Sequence, residues 1–394
     1  MPRFEPFAAW RYAPGTDLDA VIAPPYDVLS DHQAAALRRR DPHNITLIDV
    51  PAGDSPSRYL DAAATLREWM ATGVLVQDET PAFTIYRLRF TDAAGAHRDI
   101  AGVLGALEVV GEGAGGVLPH ERVTPKASTD RLDLTRATAC NLSPVWGLSL
   151  AEGLTDALRA PGELVGSLVV DGVEHRVERV TDPARLAAIT AVIGRDDVLI
   201  ADGHHRYGVA RQYRDETRAA TGRDDSPAEL TLTFVNELVA DQLSIEAIHR
   251  LYDHISWDEL TARLAWHFDL VPLGDDVTTS TLGQMVELGR LVLLSPDGEA
   301  QWLIPKPGVF DGVRALDGAW LEAALEGSPA RVSYQHGLRE MRAAVASGDY
   351  TAGILIRPTS LAEILRTARE GLLMPPKSTF FTPKLRTGLV VRQM

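Results

Sequence analysis

Residues 198–214 read VLIADGHHRYGVARQYR, and this stretch decides the architecture. Positions 198–201 are apolar or small throughout, as a buried parallel strand requires, and Gly203 lets the backbone turn sharply at the strand's carboxyl end. Beyond it Tyr207, Ala210 and Tyr213 keep one face of a helix apolar. A helix beginning there would aim its first N–H groups and the positive end of its dipole at whatever binds. Asp202 is placed to cap that helix or to hold a metal ion, while His204, His205 and Arg206 add donors suited to phosphate. The bland alternative is a capped surface helix with solvent-facing histidines. A glycine, two histidines and an arginine directly after a buried strand favour an anion site instead. Adjacent helical residues point about 100° apart, so His204 and His205 are poorly placed to chelate one ion together.

Upstream, the alternation in TIYRLRF (84–90) predicts a half-buried strand, and IAGVLGALEVV (100–110) predicts a second one running into the glycine-rich GEGAGGV. Asp54-Ser55-Pro56 offers a helix start, and apolar residues then recur at helical spacing until Gly73. After Leu118 comes a polar stretch containing His120, Glu121, Lys126, Asp130 and Arg131. A carboxylate beside a histidine can take a proton from an attacking hydroxyl, and a nearby lysine can bind a phosphate as a point charge. On composition alone a salt-bridged surface loop fits this stretch equally well.

Downstream, PARLAAITAVI (183–193) reads as a helix, and RLVLLS (290–295) and QWLIP (301–305) read as strands in a region with no cluster assignable to chemistry. Ser360 and Glu363 have capping-box spacing for a helix stopped by Gly371. The last polar group is Lys377, Ser378, Thr379, Lys384 and Arg386. Phe380 and Phe381 inside it argue for burial and for a segment that closes the site. Cys140 has no adjacent base and reads as a small buried residue; His249 and His336 are isolated and read as structural.

At 394 residues the chain exceeds the ~250–300 at which single cores stop growing. We divide it into residues 1–115, 116–245 and 246–394. A net charge of −15, from 54 acidic against 39 basic residues, opposes a long grip on nucleic-acid phosphates, so no DNA partner is expected. One cysteine permits no internal disulfide and suggests a reducing compartment. MPRFEPFAAWRY lacks the apolar run of a signal peptide and no segment is apolar enough to span a membrane, so the expectation is a cytoplasmic protein without membrane contacts.

Taken together, APPYDVLS (23–30), LPHERVTPKASTDR (118–131), NLSP (141–144), ADGHHRY (201–207) and MPPKSTFFTPKL (374–385) resemble the DUF1015 family over essentially the full length. More distantly, a strand, Asp-Gly, His, Arg and a helix are similar to the phosphate-binding turn of the ParB/sulfiredoxin fold, which includes free-serine kinases with an Asp-Gly-His-x-Arg motif. The resemblance implies an α/β (α+β) protein with a ParB/sulfiredoxin-like catalytic region and added N- and C-terminal parts. It implies Glu121 as base, and we add His120 and His204 as its catalytic partners. It further implies Asp202, Gly203, His204, His205 and Arg206 as the site for ATP or another nucleotide, with Mg²⁺ on Asp202, and to these the residue chemistry adds Lys126, Lys377, Ser378 and Thr379 as phosphate contacts. His204 stands where sulfiredoxin chemistry needs a cysteine, and no helix-turn-helix follows the motif, so neither sulfiredoxin activity nor DNA partition is expected. The expected activity is a nucleoside-triphosphate-dependent kinase acting on free L-serine or a similar small hydroxy compound, with a homodimer as an allowed assembly. A small-molecule phosphatase or other hydrolase and a non-catalytic nucleotide-binding module are the alternatives.

Overall fold

The computed structural model describes residues 1–92, 95–119, 128–375 and 377–394. The chain forms two compact units. One comprises Met1–Thr91, His97–Ser244 and Pro383–Met394, the other Asp92–Ala96 and Ile245–Thr382. Both are mixed α/β, and residues on either side of position 115 contribute strands to one sheet.

That sheet has nine strands among the described residues: β1 (Phe4–Glu5), β2 (Phe83–Thr91), β3 (His97–Glu108), β4 (Val117–Leu118), β5 (Val145–Ser149), β6 (Glu163–Val170), β7 (Val173–Val180), β8 (Val198–Asp202) and β9 (Leu230–Glu237). Their order is β4-β8-β5-β9-β3-β2-β7-β6, with β1 also on β3. β8 is not the purely parallel strand its apolar run suggests. It is parallel only to the two residues of β4, and it runs antiparallel to β5 with a register shift between Ile200 and Asp202. Burial on both faces demands apolar residues whatever the strand direction, so composition could not separate the two cases.

The centre of the sheet is held by close ring packing. A Cβ at Gly102 would lie 2.2 Å from the Phe234 ring, so only glycine lets β3 and β9 pack this way. Beneath lie Phe4, Phe83, Val103, Ile189, Val198 and Tyr207, a continuous apolar cluster in which each large side chain contributes about 1.5–3 kcal/mol. β2 is more buried than its alternation predicts. Arg87 turns inward, giving Nη2 to the Leu158 carbonyl at 2.6 Å and Nε to Glu178 at 3.3 Å, while Arg11 donates to Thr84 Oγ1 at 2.5 Å.

The longer helices of this unit are α1 (Arg58–Thr72), α2 (Ser128–Thr138), α3 (Pro183–Ile193) and α4 (His204–Thr221). α1 starts at Arg58, past the expected Asp54-Ser55 cap, and closes at Gly73. α3 begins as expected, with Asp182 accepting the Arg185 N–H at 2.9 Å and proline in the first turn. α2 lies within the stretch that reads as polar loop. It buries Leu132 and Leu134, and Arg136 ties it to Glu216 of α4 with bonds of 2.9 and 2.6 Å.

The second unit has a six-stranded antiparallel sheet of β10 (Ile248–Asp253), β11 (Phe268–Pro272), β12 (Leu291–Leu294), β13 (Ala300–Pro305), β14 (Arg331–His336) and β15 (Ala352–Leu355), in the order β11-β13-β12-β15-β10-β14. Separate apolar clusters lie around Leu264, Leu293 and Leu321 and around Met285, Val292 and Met341. Ser360 caps the helix Leu361–Arg369 through the Glu363 N–H, as the spacing implies. His249 is buried and accepts the Ile356 N–H at 3.2 Å, and His336 stacks on Phe380 with ring centres 4.4 Å apart. No helix among the described residues is long and apolar enough to cross a membrane.

Candidate functional site

At the end of β8 the backbone turns through Gly203, at φ 85° and ψ 29°, and α4 begins. Gly203 is itself the N-cap, and no side chain caps the helix. A Cβ there would lie 3.0 Å from the Arg206 guanidinium, so glycine is required both for the left-handed backbone and for the arginine to fold back over it. Asp202 therefore does not cap α4. Its Oδ1 accepts Lys384 Nζ at 2.6 Å and its Oδ2 accepts Arg206 Nη2 at 2.6 Å. Arg206 Nη1 donates to the Pro144 carbonyl, and its buried Nε has no hydrogen-bond partner among the described residues.

Electrostatics follow from this geometry. Burial alone would raise the Asp202 pKa, but Lys384, Arg206 and His204 outweigh it and hold the carboxyl below its usual range. Burial works against the Arg206 charge, yet Asp202, Asp27, Tyr26 and Asp49 keep its pKa raised. His204 and His205 are half-buried at the first turn of α4.

A second cluster adjoins the first. Arg131, near the start of α2, gives Nη2 and Nε to Asp130 Oδ2 at 2.6 and 2.9 Å and Nη1 to the Asp49 carbonyl at 2.6 Å. Its guanidinium lies 4.3 Å over the Tyr26 ring, a cation–π contact. Asp130 also accepts Arg58 Nη2 at 2.8 Å and Tyr59 OH at 2.6 Å from α1. Ser143 Oγ donates to Asp49 Oδ1 at 3.3 Å, and Thr387 Oγ1 donates to Ser143 Oγ at 3.3 Å. Tyr26, Asp49, Arg131, Ser143 and Arg206 line one small cleft of about 50 Å³. Burial pushes the Tyr26 hydroxyl up to about 12, and it also raises the Asp49 carboxyl.

Five separated segments thus meet in the first unit: 23–30, 128–131, 141–144, 201–207 and 383–387. A model of the family described as "Protein of unknown function (DUF1015)" matches residues 4–319. The chain belongs to this family. No curated protein matches this DUF1015 chain. Among solved structures it is similar to a conserved hypothetical protein from Pyrococcus furiosus, at 11% identity and TM-score 0.38, covering 71% of this chain and 92% of that one. It is also similar to a free serine kinase in complex with AMP, at 12% identity and TM-score 0.37, covering 70% and 89%. A third is SbnI with C-terminal truncation from Staphylococcus aureus, at 13% identity and TM-score 0.37, covering 74% and 87%.

Asp202, Gly203, His204, His205 and Arg206 of this DUF1015 protein lie together as a turn and first helical turn, and Lys384, Asp130 and Arg131 lie with them or beside them. His120, Glu121 and Lys126 fall outside the described residues. Lys377, Ser378 and Thr379 belong to the second unit, where the Lys377 carbonyl accepts from Arg250 at 3.3 Å and Ser378 Oγ donates to the Pro375 carbonyl at 2.7 Å. Arg386 pairs with Asp171 at 3.2 Å. Asp202 has a cation on each oxygen, a poor arrangement for a metal ligand, and no group of three or more His, Cys, Asp or Glu among the described residues could hold an ion. Cys140 is buried and its thiol is pushed up to about 12, so it is no nucleophile at neutral pH. Sequence reading passed over Asp49, Tyr26 and Ser143 as site residues. A lone carboxylate in the apolar run TLIDV was the available signal for Asp49, because a buried charge needs a reason.

Proposed function

We propose that this DUF1015 protein is a nucleotide-dependent kinase that phosphorylates a small hydroxy compound, L-serine or a close relative, in the cleft before α4. One observation carries the reading. Two cations from distant parts of the chain, Arg206 and Lys384, share the single carboxylate of Asp202 at the start of an 18-residue helix. Arg206 also keeps a buried Nε without a hydrogen-bond partner among the described residues, and with the helix dipole behind it a phosphoryl group is the natural guest.

Phosphoryl transfer asks mainly for positioning and charge stabilisation. In this reading the acceptor oxygen attacks the γ-phosphorus, the bond from that phosphorus to the bridging oxygen breaks, and ADP leaves. Glu121 takes the hydroxyl proton, with His120 and His204 as proton partners. Gly203, His205, Arg206 and Lys384 hold the phosphates, and Lys126 adds a point charge. Support for Glu121 and Lys126 comes from their anchors. In the chain the two residues lie between Leu118, which pairs with Leu199 on β8, and Ser128, the start of α2, from which Arg131 lines the cleft. Asp202 does not fit a metal-ligand role, so Mg²⁺ enters with the nucleotide and no step passes through a protein-held metal.

The test is direct. Purified protein with Mg²⁺ and ATP is expected to convert L-serine to O-phosphoserine, read by mass spectrometry. Glu121→Gln should slow turnover by roughly 10²–10⁴ with nucleotide binding kept, and Arg206→Ala should weaken nucleotide binding itself. Failure to consume ATP with a panel of hydroxy amino acids and sugars would sink the kinase reading.

A further inference from the structure

The cations of the cleft have already chosen their carboxylates. Arg131 is bidentate on Asp130, and Arg206 and Lys384 converge on Asp202. Asp49 shares Arg131 with Asp130, through a longer ion pair at 3.4 Å. Its Oδ1 receives only two long hydrogen bonds, 3.3 Å from Ser143 and 3.4 Å from Arg131 Nη1, and its Oδ2 receives none among the described residues. The residue is only 3% exposed, yet it lines the cleft. A buried carboxylate held this loosely is costly unless a cation or a proton joins it.

We propose that Asp49 forms the acceptor side of the cleft and selects a substrate carrying a positively charged amine. The inference rests on the phosphoryl-binding reading of Arg206 and Lys384 and adds the substrate class. Arg206 and Lys384 gather at Asp202, while Asp49 offers the cleft an Oδ2 that no donor among the described residues reaches. A primary ammonium supplies short charge-assisted hydrogen bonds that the distant Ser143 and Arg131 donors do not. A metal ion suits the position poorly, because no further ligands gather there among the described residues. Burial raises the Asp49 pKa and Asp27 adds to it, Arg131, Arg206 and Ser143 oppose it, and an ammonium placed against the carboxylate lowers it further. Amine binding therefore favours proton release.

The experiment is calorimetric titration of the whole protein, with and without a non-hydrolysable ATP analogue, using L-serine, ethanolamine and 3-hydroxypropanoate. The two amines are expected to bind roughly 10- to 100-fold tighter than 3-hydroxypropanoate, the range of one charge-assisted hydrogen bond. Asp49→Asn should abolish that preference. Heats measured in buffers of different ionisation enthalpy should show proton release for the amines only. Equal binding of all three probes to the native protein overturns the assignment, and so does a preference that survives in Asp49→Asn. A merely structural role would lower affinity for all three probes alike and keep their ratio. If the variant does not fold, the native probe series and its proton release decide alone. Amine preference without ATP consumption would sink the kinase and keep Asp49. ATP consumption equally efficient with 3-hydroxypropanoate and L-serine would do the reverse.

Discussion

Asp202→Ala removes the carboxylate that accepts from both Arg206 and Lys384. The Arg206 and Lys384 side chains are 10% and 14% exposed, and each donates to Asp202 at 2.6 Å. Breaking a buried pair by deleting one partner costs about 3–5 kcal/mol, because an uncompensated charge stays behind. For a unit of this size that is a fall of roughly 6–20 °C in Tm. Urea denaturation followed by circular dichroism measures it. The pH dependence has a definite sign. Because the folded-state pKa of Asp202 is lowered, its contribution is fully present above the ordinary aspartate value of about 3.9 and is lost as pH falls below it. The native protein should show that acid loss, and the variant should lack it. Phosphate, replacing the missing carboxylate, should restore stability to the variant more than it stabilises the native protein, by about 2.7 kcal/mol at a hundredfold excess over its Kd. A loss under about 1 kcal/mol, well short of the range for a broken buried pair, or equal stabilisation of both proteins by phosphate, would refute the reasoning.

Three further outcomes follow. Gly203→Ala must adopt φ 85° and crowd the Arg206 guanidinium, so it should cost about 1–2 kcal/mol and weaken AMP binding in calorimetry; unchanged stability and affinity would count against the turn's role. Cys140 should resist iodoacetamide in the native protein and react promptly in urea, as judged by intact mass, since burial pushes its thiol up to about 12; rapid native labelling would contradict this. His175 and His249 are lowered to about 4, chiefly by burial, so the unfolded chain gains protons first and stability should fall as pH drops from about 6.5 to about 4. Their imidazole signals should not titrate near neutral pH, and a midpoint near 6.5 in the folded protein would overturn the assignment.

Local pattern made the strand, turn and helix from Val198 to Thr221 legible, because an apolar run, a glycine and helical spacing each act over a few residues. The same holds for the helix Pro183–Ile193, with its Asp182 cap. What sequence pattern left hidden is pairing at long range. Asp202 reads as a cap because aspartate before a glycine and a helix commonly caps, but a lysine 182 positions later takes one of its oxygens. Lys384 stood in the C-terminal cluster beside Lys377, Ser378 and Thr379, and nothing local distinguishes it, although the structure assigns it to the first unit. Arg87 looks solvent-facing in its alternating strand until Glu178, 91 residues away, is seen to bury it. Antiparallel pairing of β8 with β5 is likewise invisible, since hydrophobicity records burial and not direction.

The return of residues 383–394 to the first unit sets an order of assembly during synthesis. A ribosome adds about 5–20 residues per second. The roughly 140 residues between Ser244 and Lys384 therefore take roughly 7–28 s to make. For that interval the nascent chain can already hold β8, its turn and α4 outside the exit tunnel, with Asp202 paired to Arg206 but not yet to Lys384. Translation of the whole second unit must finish before the lysine arrives, so a ribosome stalled inside it leaves a sheet whose β8–α4 turn lacks Lys384.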